Sequence, residues 1–92
     1  MSVLFEWDPN KELSNIRKHH VSFSEATSVF FDPLSITAPD PVHGEFEPRY
    51  LILGLSKNNR LLTVAHTDRG NTIRIISARR ADRKERRQYE ST

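Results

Sequence analysis

Arg74, Arg79, Arg80, His66 and Tyr50 are of the types that hold a phosphate and move protons. One chemistry that would use such a set is a metal-free attack within an RNA strand, which takes three kinds of group. A base must remove the 2′-hydroxyl proton, cations must hold the charge that builds on the phosphate, and an acid must protonate the leaving 5′-oxygen. Candidates of the right types cluster in the second half of this sequence. Arg74, Arg79 and Arg80 stand in "IRIISARR", at the end of an apolar alternating stretch where a sheet can aim them at one point. Arginine suits a phosphate because its planar guanidinium donates two parallel hydrogen bonds and stays charged. His66 is the only histidine on a stretch that reads as a strand, and Tyr50, at the head of "YLILGLSK", can stack on a base or donate a proton. Each type also has a structural use. A histidine at a strand end is often half-buried and hydrogen-bonded, a tyrosine often packs as an amphipathic residue, and basic residues often form only a solvated face.

The charge is unevenly spread. Residues 1–50 carry four Lys/Arg against eight Asp/Glu, giving −4, and residues 51–92 carry ten against four, giving +6, which together make the net +2. Eight of the fourteen basic residues fall between Arg69 and Arg87. Such polarity suits a polyanion or an acidic partner. Arg80, Arg83, Lys84, Arg86 and Arg87 are the candidates for tracking an RNA backbone, on a last helix that the D-x-x-E box of "DRKE" starts near Asp82. Only Ala81 and Tyr89 on it are apolar, so little burial is expected to hold it to its own domain.

Ninety-two residues suffice for one domain over 1–92 with a modest core. The absence of cysteine excludes disulfides and thiolate chemistry. His19-His20, His43 and His66 lack the i, i+4 spacing of a helical zinc site, and the glycines stand too far apart for a phosphate loop, so neither metal nor cofactor is expected. No apolar run approaches the roughly 20 residues of a membrane span, and "MSVLFEWDPN" lacks the regions of a signal peptide, so a soluble cytoplasmic protein is expected.

The elements that must position these residues follow from local signals. "VLFEW" reads as a short strand. Asp8 as N-cap with Pro9 at the first helical position starts a helix, with Leu13, Ile16 and His20 on one side. Ser22 and Glu25 form a capping box for a second helix with the stripe Phe23, Ala26, Val29 and Phe30, ended by Asp32-Pro33. Residues 33–48 read as a proline-rich loop with a short edge strand around Ile36. Lys18 and His19 share a helix surface with Asn15. Asn58-Asn59 predicts a two-residue hairpin turn, and "DRGN" a second. With loops at 58–59 and 69–70, position i opposes 117 − i in the first pair and 139 − i in the second, so His66 faces Ile73. Leu51, Leu53, Leu55, Leu62, Val64, Ile73 and Ile75 then share the core face, with His66, Ser77 and Arg79 at its margins. Tyr50, Ile52, Gly54, Thr63, Ala65, Arg74 and Ile76 lie on the other. The fold class is α+β: a small antiparallel sheet of three to five strands, two N-terminal helices on one face and a C-terminal helix.

"FEWDPNKELSNIRKHHVSFSEATSVFFDP", "EPRYLILGLS", "RLLTVAHTD" and "IRIISARRADRKERRQYE" together resemble the BrnT family of small toxins over about residues 4–90. The resemblance implies a RelE-like fold and a ribonuclease toxin of a type II toxin–antitoxin pair. It also implies a cognate ribbon-helix-helix (BrnA-like) antitoxin and operator DNA bound only through the toxin–antitoxin complex. It marks Arg49 and Tyr50, Arg74 and Arg79, Glu85 with Arg86, and Lys18-His19. Where E-E-R-Y is expected this chain has "FEPRY", with Pro48 in place of an acid. The expected mechanism has Arg74 and Arg79 on the scissile phosphate and His66 or Tyr50 moving protons. The alternative is a basic nucleic-acid-binding or regulator-binding module without chemistry, which needs the arginines but neither His66 nor Tyr50.

Overall fold

In the structure, a computed structural model, residues 3–40 and 47–91 are described. The element order is β1 (Leu4–Glu6), α1 (Pro9–His19), α2 (Phe23–Ser28) with a 3-10 turn (Val29–Phe31), β2 (Ile36–Pro39), β3 (Tyr50–Leu55), β4 (Leu61–Arg69), β5 (Thr72–Arg80) and α3 (Arg83–Glu90). The strands form one sheet in the order β1-β5-β4-β3-β2. It is mixed rather than purely antiparallel, because β1 runs parallel to β5. None of the described helices is long and apolar enough to cross a membrane.

The local start signals act as their chemistry predicts. The Asp8 carboxylate accepts from the Asn10 N–H at 2.8 Å, and the Ser22 hydroxyl accepts from the Glu25 N–H at 3.0 Å. The Ser22 box is one-sided, however, because the Glu25 carboxylate turns instead to Arg60 and Ser56. At α3 the box is complete, with Asp82 and Glu85 each bonding the other's backbone N–H. His20 is no part of an apolar stripe; it ends α1 in the left-handed region at φ 59°, its N–H bonding the Ile16 carbonyl.

The core lies between one sheet face and the segment from Val21 through α2 to the 3-10 turn, with no residue from α1: Val21, Phe23, Ala26 and Val29 meet Ile52, Leu62, Val64, Ile75 and Ala78. Gly54 lies on this face too, where a Cβ would stand 2.8 Å from Val29 Cγ1, so only glycine lets the 3-10 turn approach. Leu13 and Ile16, expected to pack α1, are instead 55% and 39% exposed, while Asn15 is buried. The reason is a strand edge. β1 is short and covers only Thr72 to Arg74, which leaves the rest of β5 without a neighbour on that side. The Asn15 amide takes the neighbour's place: its Oδ1 accepts from the Ala78 N–H at 3.1 Å, and its Nδ2 donates to the Ala78 carbonyl at 2.8 Å and to the Val21 carbonyl at 2.9 Å. Burying an edge requires that its backbone groups be paired, and this bonding turns the polar side of α1 inward.

The expected register is corrected in both hairpins. The first turn is a three-residue loop closed by the Ser56 N–H to the Arg60 carbonyl, with Asn59 at φ 61°, so pairs sum to 116 and β3 turns over. Leu51, Leu53 and Leu55 therefore leave the helix-covered face, and Tyr50, Ile52 and Gly54 enter it. The second turn falls at Gly70-Asn71, and pairs sum to 141 as far as His66, which lies opposite Ile75 and not Ile73. A bulge follows: Ala65 opposes Ser77, leaving Ile76 as the extra residue on β5. Beyond it Ala78 joins the core, and Arg79 turns to the face away from α1 and α2.

Candidate active site

The bulge decides where the basic residues point. On the face away from α1 and α2, Asp40, Arg49, Leu51, Ala65, Ile76, Ser77 and Arg79 line a groove of about 400 Å³. Arg49 reaches it because the Asp40 N–H bonds the Arg49 carbonyl at 2.9 Å, which fastens the approach to β3 alongside the end of β2. Arg79 is held from α3. Its Nη1 and Nη2 donate to the two oxygens of Glu85 at 2.8 and 3.0 Å, and Glu85 is anchored in turn by the Asp82 N–H at 2.9 Å. Burial pushes the Glu85 carboxyl up, but Arg79 and the helix N-terminus outweigh it and hold it below its ordinary range. Glu85 raises Arg79 further, so both stay charged. The Arg79 side chain remains 41% exposed.

Arg74 shares this face but lies on the far side of the bulge, opposite Thr67. It belongs to an ion-pair cluster, 3.4 Å from Glu6, which Arg69 also approaches at 3.8 Å while bonding Glu47 at 2.8 and 3.0 Å. The Arg69 guanidinium holds Glu47 below the usual carboxylate range.

His66 and Tyr50 sit on the opposite, helix-covered face. The His66 ring packs edge-on to Phe30 at 4.8 Å and stacks on Tyr50 at 5.8 Å. The residue is 4% exposed and neither ring nitrogen has a hydrogen-bond partner. Burial pushes its pKa down, against the weaker pull of Asp68 3.8 Å away, so the ring is neutral at neutral pH. The structure thus brings Arg49 and Arg79 together, keeps Arg74 nearby in a separate cluster, and puts the sheet between these arginines and His66 with Tyr50. Arg80 points to the other side from Arg79. Arg83, Lys84, Arg86 and Arg87 are exposed along α3, whose inward residues are Glu85 and Tyr89. The Tyr89 hydroxyl donates to Asp32 at 2.6 Å, and that bond pushes its pKa up to about 12. Polar bonds, not apolar burial, hold this helix down. His43 lies outside the described residues.

Asp40 and Ser77 were not among the expected site residues. Asp40 had a legible signal, an acid at the end of the edge strand proposed around Ile36; Ser77 enters only through the bulge, which no local pattern announces.

Fold and groove together define a small α+β domain with one face covered by helices and the other carrying an arginine-lined groove. Residues 7–85 match the family described as the ribonuclease toxin BrnT of type II toxin–antitoxin systems, and the chain belongs to that family. Its fold is similar to the crystal structure of the Brucella abortus ribonuclease toxin BrnT. That similarity has a TM-score of 0.69 at 20% sequence identity, over 89% of this chain and 100% of that one. Among curated proteins none matches.

Proposed function

We propose that this chain is an endoribonuclease that cuts RNA without a metal at the Arg49–Arg79 groove. The observation that carries the reading is the pair of arginines converging on one open groove in a member of a ribonuclease toxin family. Both guanidiniums hold the scissile phosphate and stabilise the charge gathering on its oxygens. Asp40, in the lining of the same groove, takes the proton of the 2′-hydroxyl. The 2′-oxygen then bonds to phosphorus, the bond to the 5′-oxygen breaks, and solvent protonates that oxygen. The products are a 2′,3′-cyclic phosphate and a 5′-hydroxyl. Glu85 aims Arg79 and does not touch the RNA, since both its oxygens are taken by Arg79. The exposed side of α3, with Arg83, Lys84, Arg86 and Arg87, follows the strand beyond the cut, Arg80 adding charge at its root. Arg74 supports the same face from its cluster with Glu6.

In the cell this activity lowers translation and growth in the cytoplasm. The partner is a ribbon-helix-helix antitoxin that covers the toxin and, in the complex, carries it to operator DNA. The sequence resemblance supports that part of the reading.

The test is cleavage of a labelled RNA in EDTA by wild type, Arg49→Ala, Arg79→Ala and Asp40→Asn. The expected results are a cyclic-phosphate product from wild type and a loss of roughly 10²- to 10³-fold for Arg79→Ala, the range seen when one charge-stabilising donor is removed. Arg49→Ala should follow it. Asp40→Asn should lower the cleavage rate while leaving RNA binding in place. Folded Arg49→Ala and Arg79→Ala chains that cut at the wild-type rate would overturn the groove, and activity abolished by EDTA would overturn the metal-free chemistry.

A further inference from the structure

A second basic groove lies on the other side of the bulge, between α1 and the edge of β5. Lys11, Ser14, Lys18 and His19 line its helix side, Ile76 and Ser77 its strand side, with Asn15 between them. Residues 11, 14, 15 and 18 fall at i, i+3, i+4 and i+7, one stripe of α1. Asn15 has spent its amide on Ala78 and Val21, so it fixes the helix against the strand and leaves the bordering lysines to face outward. No carboxylate lines the groove, and the acid Glu12 of α1 caps α2 instead, accepting from the Phe23 N–H at 2.8 Å. The side chains of Lys11, Lys18 and His19 make no ion pair or hydrogen bond among the described residues. Lys11 and Lys18 stand two helical turns apart along the groove with no acid in its lining, which leaves both charges for an anion to meet.

Ile76 and Ser77 line this groove and the Arg49–Arg79 groove alike. The two are therefore adjoining stretches of one path that turns around the sheet edge at the bulge. We propose that the α1–β5 groove is a subsite for the phosphodiester flanking the scissile one, with Lys11 and Lys18 on its oxygens and His19 and Ser77 at its sides. The inference rests on the RNA-cleaving reading above and deepens it. It gives the substrate a direction, across the end of the sheet and along α1, and makes the favoured substrate a single strand longer than one linkage. It also gives α1 a reason to keep its polar stripe facing the groove while Leu13 and Ile16 lie in water.

The test uses a fluorescent single-stranded oligoribonucleotide whose 2′-hydroxyls are methylated, so that it binds and cannot be cut. Affinity is measured from low to moderate salt for wild type, Lys11→Gln/Lys18→Gln and Arg17→Gln, a cation of the same helix outside the groove. Each phosphate contact in a single strand contributes about 0.7 to the slope of log affinity against log salt, so the double variant should lose about 1.4 from that slope. Arg17→Gln should keep the wild-type slope. Both lysines are exposed, so the variants should fold, which a thermal melt checks. Equal slopes and affinities for wild type and the double variant overturn the subsite, whatever the cleavage assay shows. So does a double variant with intact RNA binding that no longer holds a co-expressed antitoxin, since the groove would then be a protein interface. A wild type that binds the probe with the expected lysine dependence but fails to cut unmethylated RNA leaves the subsite standing and sinks the catalytic reading alone.

Discussion

Two arginine–glutamate pairs tie the sheet to its helices, and they differ in what surrounds the carboxylate. At the hairpin end, Glu25 of α2 is bonded by both Arg60 and the Ser56 hydroxyl, the latter at 2.7 Å, and only 4% of its side chain is exposed. Arg60 also donates to the His20 carbonyl at 3.0 Å, so one guanidinium fastens the hairpin to two helices. On the open face, Arg79 makes the same two-pronged contact with Glu85, but 41% of its side chain is exposed and it borders a groove. The first pair is closed over, its carboxylate all but sealed from water, and is a structural joint. The second keeps its cation half in water, where an incoming phosphate can share it. Identical chemistry thus closes into a joint or stays open to solvent according to how far the surroundings close over it.

The largest expected effect separates the two joints by stability. Breaking a buried pair leaves one charged or polar group without its partner, so Glu25→Gln should cost roughly 2–3 kcal/mol in urea unfolding, at the lower end because Arg60 can still reach water. The pH dependence carries the same sign. Arg60 first, then Ser56, hold Glu25 well below its ordinary 4.5, at about 2 in the folded chain. A carboxyl depressed on folding stabilises fully above its unfolded value and loses that contribution as pH falls through the folded one. The advantage of wild type over Glu25→Gln should therefore be full at pH 6, shrink below about 4.5 and be nearly gone at pH 2. An advantage that stays constant from pH 6 to 2 would mean that Glu25 is not the joint.

The contrast between the faces was only partly legible in the sequence. The caps at Asp8, Ser22 and Asp82 are short-range and were readable, as were the element order and the α+β class. Which residues share a face was not. Asn58-Asn59 signals a turn, but one residue more in the loop turned β3 over, carrying Leu51, Leu53 and Leu55 to the open face and Tyr50 to the closed one. The bulge at Ile76 sent Arg79 outward while His66 stayed inward, and its position depends on the whole β4–β5 pairing. Asn15 is the instructive case on α1. A polar residue in a helix reads as solvent-facing, and only the unpaired edge of β5, a tertiary feature, makes it the most buried position of the helix. The arginines can be singled out by type and position; which residues share their groove depends on register.

The second prediction tests the open pair. Glu85→Gln keeps the side chain's shape and its bond to the Asp82 N–H but removes the charge facing Arg79. Partial exposure already screens that attraction, so the stability loss should stay at about 1 kcal/mol or less, well under the Glu25→Gln value. RNA cleavage should fall by a larger factor than stability does, because Arg79 loses the carboxylate that sets its direction. Tight-binding competition by inorganic phosphate against wild type and Glu85→Gln would show whether the guanidinium is still aimed. A Glu85→Gln chain destabilised as much as Glu25→Gln would erase the distinction between a closed joint and an open one.

The smallest effect belongs to His66, and it bears on chemistry more than on stability. Its ring is sealed between Phe30 and Tyr50 with both nitrogens unpartnered, a condition that itself costs stability. Phenylalanine has nearly the same ring shape and no nitrogen to satisfy, so His66→Phe should leave the stability measured by urea unfolding unchanged or raise it by up to about 1 kcal/mol. Cleavage should be unaffected, because the sheet lies between this ring and the arginine groove. A folded His66→Phe chain that no longer cuts RNA would return proton transfer to the helix-covered face. In that event the Arg49–Arg79 groove would bind RNA without being where it is cut.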